Sequence, residues 1–321
     1  MTILPSRSIY YKDCNLVAQP TSISSRSEIK KELERIVVSP MASIVGDVFA
    51  KKAIDLGLSV CLHRFDKSVE SRIKLVNEIK EGRDRLWVSI GMKNLEDAVR
   101  LTEAGATSLV IDVANGYMSS LVDYAYEVAV KARPKRLMLG NIHSSSILPH
   151  YLLISESMRI PIYYRCGIAS GSACNTKGMT GYNRGQITEI EECAEFSSHF
   201  NNLILVADGG ISNPAYAVKA FGAGAEMVMM GGYFSKAKES AHVVDEIYKF
   251  WGGASQLQQI LTNGEATRHS EGKELDVDQN ALQPLETLVN DLWGGIASGV
   301  SYSGHTSLSE FIGKGIFELV N

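Results

Sequence analysis

Eight short apolar runs, each followed by a polar amphipathic stretch, recur along this chain and constrain its fold more than any other feature. They are Arg35–Met41, Leu58–His63, Leu86–Gly91, Ser108–Ala114, Arg136–Ile142, Ile160–Gly167, Leu203–Gly210 and Met227–Gly232. The runs are rich in β-branched residues and continuous rather than alternating, the pattern of parallel strands buried on both faces. Between them lie helical patterns such as Asn94–Ala104 and Pro214–Ala223. Asn213 reads as an N-cap, Pro214 as the first helical residue, and Gly222 and Gly224 as a stop. Eight strand-then-helix units, spaced by roughly 20–30 residues, predict an α/β fold, a (β/α)8 TIM barrel.

Composition sets the class. With 45% hydrophobic and 21% charged residues, 321 residues can bury one large core, so a single catalytic domain over residues 1–321 is expected. A net charge of −4 lacks the electrostatic footprint of a nucleic-acid binder. No apolar run reaches the ~18 residues of a membrane span. The stretch MTILPSRSIYYKDC lacks the apolar core of a secretory signal. Five cysteines, odd in number and without metal-type spacing, read as free thiols in a reducing compartment. A cytoplasmic enzyme is the expectation.

Past Gly232 the barrel pattern stops. Residues 249–274, rich in Gly, Ser, Gln and Asn, read as a long active-site loop. Ala281–Trp293 reads as a last helix. The Gly- and Ser-dense segment after it reads as irregular chain, either approaching a ligand closely or turning at the surface.

Three glycine-bearing segments fall at successive strand ends: Gly167–Cys174, Asp208–Ile211 and Met230–Gly232. The last two strand ends of such a barrel are its usual phosphate site, where backbone N–H groups meet the anion. Simple strand stops would leave similar residues. Cys174 sits in a polar loop beside Asn175, Thr176 and Lys177, an exposed setting with a nearby cation that favours thiolate. Cys61 and Cys166 fall within apolar strands and Cys193 on a helix, where packing is the ordinary reading. Cys14 carries no signal of its own.

An ordered series of motifs runs through the chain: SRSE (25–28), LHRF (62–65), IDVANGY (111–117), Gly140-Asn141, GSACNTK (171–177), and TGY (180–182) followed by Gln186. VADGGI (206–211), FGAGAEMVMMGG (221–232), WGGAS (251–255), SEGK (270–273) and SYSG (301–304) complete it. In this order the motifs resemble the IMP dehydrogenase/GMP reductase family, on its GMP reductase side, along nearly the whole chain.

That resemblance implies a barrel without an inserted regulatory domain, in which Cys174 attacks C2 of a purine nucleotide to form a covalent thioimidate. Thr176 and Glu271 would handle the protons needed to expel ammonia. Met41, Ser172, Asp208, Gly209, Gly210, Gly231, Gly232, Gly252, Gly253, Ala254, Arg268, Ser270 and Gly272 would hold GMP. Ser25, Arg26, Arg64, Asp112, Val113, Ala114, Ser298 and Ser301 would hold NADPH, guanidinium groups suiting a phosphorylated dinucleotide. A potassium ion would lie at Ala169, Gly171, Cys174 and Lys177, mainly on loop carbonyls. The family is typically tetrameric, so a homotetramer is implied. The chain departs from the family pattern at Ala169, where glycine is usual, at Lys177, where Arg is common, and at Thr267, where some members have Tyr.

Other readings stay open at this point. IMP dehydrogenation would use the same cysteine, but residues 252–272 contain Arg268 without the Arg-Tyr pair that activates water in that branch. A silent nucleotide-binding barrel would have no need of Cys174, Thr176 and Glu271 together. A phosphosugar isomerase or aldolase would want a strand-end lysine or carboxylate pair, and fold alone does not exclude it. A deoxy or modified purine nucleotide remains a possible substrate.

Overall fold

A computed structural model describes residues 8–66, 68–241, 243–244, 247–267 and 270–320. A short strand, β1 (Cys14–Leu16), precedes the barrel. The barrel strands are β2 (Ile36–Val38), β3 (Ser59–Leu62), β4 (Leu86–Ile90), β5 (Ser108–Ile111), β6 (Arg136–Ile142), β7 (Ile162–Cys166), β8 (Leu203–Asp208) and β9 (Met227–Met230). All eight pair in parallel and in chain order, and β2 closes on β9 with Val37 opposite Met229. Each predicted apolar run holds one of these strands.

Helices α1 (Asp47–Asp55), α2 (Glu70–Glu78), α3 (Leu95–Glu103), α4 (Ser119–Lys131) and α5 (Leu148–Met158) link the first six strands. The short α6 (Thr176–Thr180) and α7 (Gln186–Ser197) follow β7, and α8 (Pro214–Gly222) follows β8. The Asn213 cap is present: its side chain accepts the Tyr216 N–H at 3.0 Å, satisfying a donor that the helix start leaves free. Gly224 takes a left-handed φ of +116° just beyond this helix.

The barrel has two cores. Inside, Val37, Cys61, Trp87, Val110, Met138, Val206 and Met229 are all completely buried. Trp87 meets Tyr163 edge-on with centroids 4.7 Å apart, and the Arg136 guanidinium covers Trp87 at 4.8 Å. Truncating Trp87 would cost about 3–5 kcal/mol. Outside, strands and helices share a larger apolar layer. Cys14, Cys61, Cys166 and Cys193 are buried thiols; only Cys174 among the five is partly exposed. None of the described helices is long and apolar enough to cross a membrane.

Two expectations need correction. Residues 249–274 are not one open loop. Strand β10 (Val243–Val244) pairs with β11 (Ile247–Trp251), which pairs with β12 (Glu274–Asp276), and α9 (Gln256–Asn263) lies between the last two. Phe250 and Trp251 are buried, and Ser255 caps α9 by accepting the Gln258 N–H, so polar composition concealed an anchored strap. The last long helix, α10, spans Leu285–Ser301 rather than 281–293. Its glycines lie inside it and serve packing: Gly295 rests on Pro214 and Gly299 on Val218, where a Cβ would sit 2.5 and 2.7 Å from side-chain atoms. Finally α11 (Leu308–Phe311) leads to β13 (Phe317–Leu319), which pairs antiparallel with β1.

Candidate active site

The C-terminal ends of the barrel strands, with Phe250, Gly252, Gly253, Ala254, Glu271 and Gly272 of the strap, enclose a cavity of about 480 Å³. Its wall is rich in glycine, because the loops after β7, β8 and β9 contribute Gly167, Gly171, Gly209, Gly210, Gly231 and Gly232. A Cβ on Gly209 or Gly210 would strike the Ser170–Gly171 loop or Gln186, and both residues have positive φ (+87° and +74°), so these turns require glycine.

Cys174 follows β7. Its Sγ–H donates to Thr176 Oγ1 at 3.2 Å, and the Thr176 hydroxyl donates to Glu271 Oε2 at 2.7 Å. Backbone pairing brings the three together. Cys174 and Gly272 form an antiparallel bridge, and the Lys273 N–H donates to Ala173 O at 2.8 Å. Glu271 also accepts the Asn175 N–H on its carbonyl. The strap thus adds a short strand edge to the cysteine loop, and a carboxylate distant in sequence ends beside the thiol. The result is an unbroken proton path from sulfur through hydroxyl to carboxylate.

Asp208, at the end of β8, faces the same cavity. Its Oδ2 accepts from Asn141 Nδ2 at 2.8 Å and lies 3.6 Å from Arg165 Nη1. Arg165 also pairs with Asp112 Oδ1 at 3.0 Å, and Asp112 Oδ2 lies 3.3 Å from Arg64 Nε. Burial pushes the Asp208 carboxyl above its usual range, while Arg165 and Asn141 pull it part of the way back. Burial works against the Arg165 charge, but Asp112 and Asp208 outweigh it and hold its pKa above the ordinary value. A chain of alternating charges, Arg64, Asp112, Arg165 and Asp208, therefore crosses the cavity floor.

Most residues anticipated from sequence line this cavity: Met41, Arg64, Asp112, Val113, Ala114, Ala169, Gly171, Ser172, Cys174, Thr176, Asp208, Gly209, Gly210, Gly231, Gly232, Gly252, Gly253, Ala254, Glu271 and Gly272. Others lie off the wall. Ser270 donates to Ala254 O at 2.6 Å and so braces the strap. Lys177 places its ammonium 5.7 Å from the Tyr10 ring centre. Ser25 caps a helical turn at Arg26–Glu28, and Arg26 packs against Gly294 of α10, the helix carrying Ser298 and Ser301. Those two hydroxyls bond to helix carbonyls, Ser298 to Gly294 O and Ser301 to Ser298 O. Arg268 lies outside the described residues.

Sequence reasoning missed Arg165, Asn141 and Phe65 as site residues. An arginine inside the apolar run IPIYYRCG was the available signal, because a buried charge demands partners.

Ala169 adopts a left-handed φ of +62°, a conformation that glycine would reach without strain. The loop can therefore present the Ala169, Gly171 and Cys174 carbonyls, although Gly171 O already accepts the Cys174 N–H at 3.0 Å. No cluster of three His, Cys, Asp or Glu side chains suited to a metal ion exists among the described residues. Carbonyl donors without carboxylates suit a monovalent cation rather than a harder ion.

A family model described as IMP dehydrogenase / GMP reductase domain matches residues 9–321. Human GMP reductase 1 is 30% identical, with 96% of this chain and 93% of the relative aligned. Mouse GMP reductase 1 is 28% identical over the same shares, and GMP reductase of Shewanella pealeana 27%. The match spans the closed barrel and both segments that meet at Cys174. This chain is a member of the IMP dehydrogenase/GMP reductase family, an oxidoreductase enzyme built on a (β/α)8 barrel.

Proposed function

We propose that the protein catalyses the NADPH-dependent reductive deamination of GMP to IMP and ammonia. The observation that carries this reading is the continuous hydrogen-bond path Cys174–Thr176–Glu271 inside a cavity walled by three glycine-rich strand ends. In this mechanism the thiol proton passes through the Thr176 hydroxyl to Glu271, and the freed thiolate bonds to C2 of the guanine ring. Glu271 then returns the proton, again through Thr176, to the departing amine, which leaves C2 readily only when protonated. The remaining sulfur–carbon adduct is the thioimidate. NADPH, when bound, supplies the two electrons and the hydrogen that C2 acquires. When the carbon–sulfur bond breaks, the thiol regains a proton and IMP is released.

Asp208 is suited to accept hydrogen bonds from the ribose hydroxyls, and the backbone N–H groups around Gly210, Gly231 and Gly232, with Ser172, to hold the phosphate. Arg64, Asp112, Val113 and Ala114 would contribute to holding NADPH from the wall of the same cavity. Ser25, Arg26, Ser298 and Ser301 form a separate cluster suited to the far end of a dinucleotide. A potassium ion on the carbonyls of Ala169, Gly171 and Cys174 would steady the cysteine loop, and a cytoplasmic homotetramer belongs to the same reading.

Incubating the protein with GMP and NADPH, and following cofactor oxidation together with ammonia, tests it. Equimolar loss of NADPH and gain of ammonia is the expected result. Reduction of NAD+ with IMP, without GMP turnover, would assign the site to dehydrogenation instead. Comparing GMP with dGMP in the same assay decides whether the Asp208 contact demands a 2′-hydroxyl.

A further inference from the structure

We propose that Phe65 is a positioning residue for the cysteine loop, acting through the glycine pair of the strap. Phe65 follows β3 and stands half-buried in the cavity wall. A Cβ on Gly253 would lie 2.5 Å from Phe65 Cζ and 2.9 Å from Cε2, so the edge of the ring fills the volume a side chain would need. One residue earlier, a Cβ on Gly252 would lie 2.7 Å from the carbonyl oxygen of Ala173. The Gly252-Gly253 pair is therefore wedged between an aromatic edge and the backbone that carries the nucleophile.

The ring has a cation packed against it. The Arg64 guanidinium lies 4.9 Å from its centre, and Arg64 is itself paired with Asp112 at 3.3 Å. On either side of the wedge the strap is tied down. Ser43 Oγ donates to Trp251 O at 3.2 Å on the β2 side, and Gly272 pairs with Cys174 on the β7 side. Contact runs from Asp112 through Arg64, Phe65 and Gly252-Gly253 to Ala173 and Cys174. The volume of the side chain at 65 sets how closely the strap rests on the cysteine loop, because a gap of 0.5–1 Å already forfeits a quarter to a half of a van der Waals contact. Glycine at 253 and phenylalanine at 65 are thus one fitted pair.

This inference rests on the reading of Cys174 as nucleophile, and its test has a readout that needs no turnover. The other four cysteines are buried, so iodoacetamide alkylation followed by mass spectrometry reports Cys174. Phe65→Ala is expected to quicken alkylation several-fold and to lower kcat about 10- to 100-fold while the KM for GMP changes little. Phe65→Leu, which restores most of the volume, recovers much of the loss. Gly253→Ala is expected to be impaired because its methyl group meets the ring. Phe65→Ala/Gly253→Ala is then expected to be closer to wild type than Gly253→Ala alone in both assays. A double variant no better than Gly253→Ala overturns the pairing, as does Phe65→Ala with wild-type alkylation and kcat. If the wild-type protein turns over no GMP, the proposed function fails, and the alkylation rates of the same four variants still decide the role of Phe65.

Discussion

The Thr176 hydroxyl donates to Glu271 Oε2 at 2.7 Å, joining segments 95 positions apart in the chain, while the same hydroxyl oxygen accepts the Cys174 thiol proton. Neither bond alone would move a proton from sulfur to carboxylate. Thr176→Val keeps the shape but removes both bonds, and is expected to lower kcat by roughly 10²–10⁴ with GMP binding retained. Thr176→Ser keeps the path and most of the rate. Glu271→Gln stalls the departure of ammonia, and Cys174→Ala binds GMP without turnover. Steady-state kinetics and calorimetric binding of GMP check all four; wild-type kcat in Thr176→Val would remove the relay.

The second expectation concerns Arg165, whose guanidinium separates the Asp112 and Asp208 carboxylates. Arg165→Met leaves two partly exposed acids facing each other without the buried cation between them, at a cost of about 1–3 kcal/mol. A urea titration of the variant measures it. The pH dependence has a definite sign. Asp208 accepts hydrogen bonds best when ionised, and burial has already raised its pKa, so GMP affinity falls as the pH drops through that raised value. Arg165 pulls the pKa down, so in a folded variant lacking it the fall begins at higher pH. Calorimetry of GMP binding across pH follows the midpoint, and an unshifted midpoint would show that the two groups do not interact.

Much of this architecture was legible because its signals are local. A parallel strand buried on both faces reads as an apolar run, so all eight barrel strands fell inside the predicted segments. Cys174 stood out because a thiol in a polar loop is out of place for a packing residue. What was missed depends on distant partners. Trp251 looks like one apolar residue in a polar stretch until Ser43 holds its backbone and Gln258 its indole. Gly294, Gly295 and Gly299 look like breakers, since each costs about 1 kcal/mol in a helix, yet in α10 they let Arg26, Pro214 and Val218 approach. The pairing of Arg165 with Asp112 and Asp208 joins three different strand ends and has no counterpart in local spacing.

A third expectation comes from Ala169, the single non-glycine residue with positive φ in the cysteine loop, at +62°. A left-handed alanine is strained by about 1–2 kcal/mol, while glycine in its place regains unfolded-state entropy worth about 0.4–1 kcal/mol. Ala169→Gly is therefore expected to raise stability by up to roughly 1 kcal/mol, seen as a higher Tm in a thermal melt. A lower Tm would mean that the methyl group makes a compensating contact.

The last expectation concerns a carboxyl group that the proposed chemistry does not use. Glu189, on α7, is completely buried, and neither of its oxygens finds a hydrogen-bond partner among the described residues. Burial pushes its pKa well above the ordinary carboxylate range; Cys193 and Asp208 push the same way, and Arg184 only partly opposes them. The folded protein thus keeps this proton at pH values where the unfolded chain has already lost it. That difference lowers stability progressively as pH rises from about 4.5 through the raised pKa, and has no effect below the unfolded value. Glu189→Gln removes the titration at nearly constant volume. It is expected to change Tm little near pH 4, where both side chains are neutral, and to become progressively more stable than wild type as the pH rises above the ordinary carboxylate range. Paired thermal melts of the two proteins across that range measure the divergence. Parallel curves would mean that Glu189 is ionised in the fold and solvated by a partner not among these contacts.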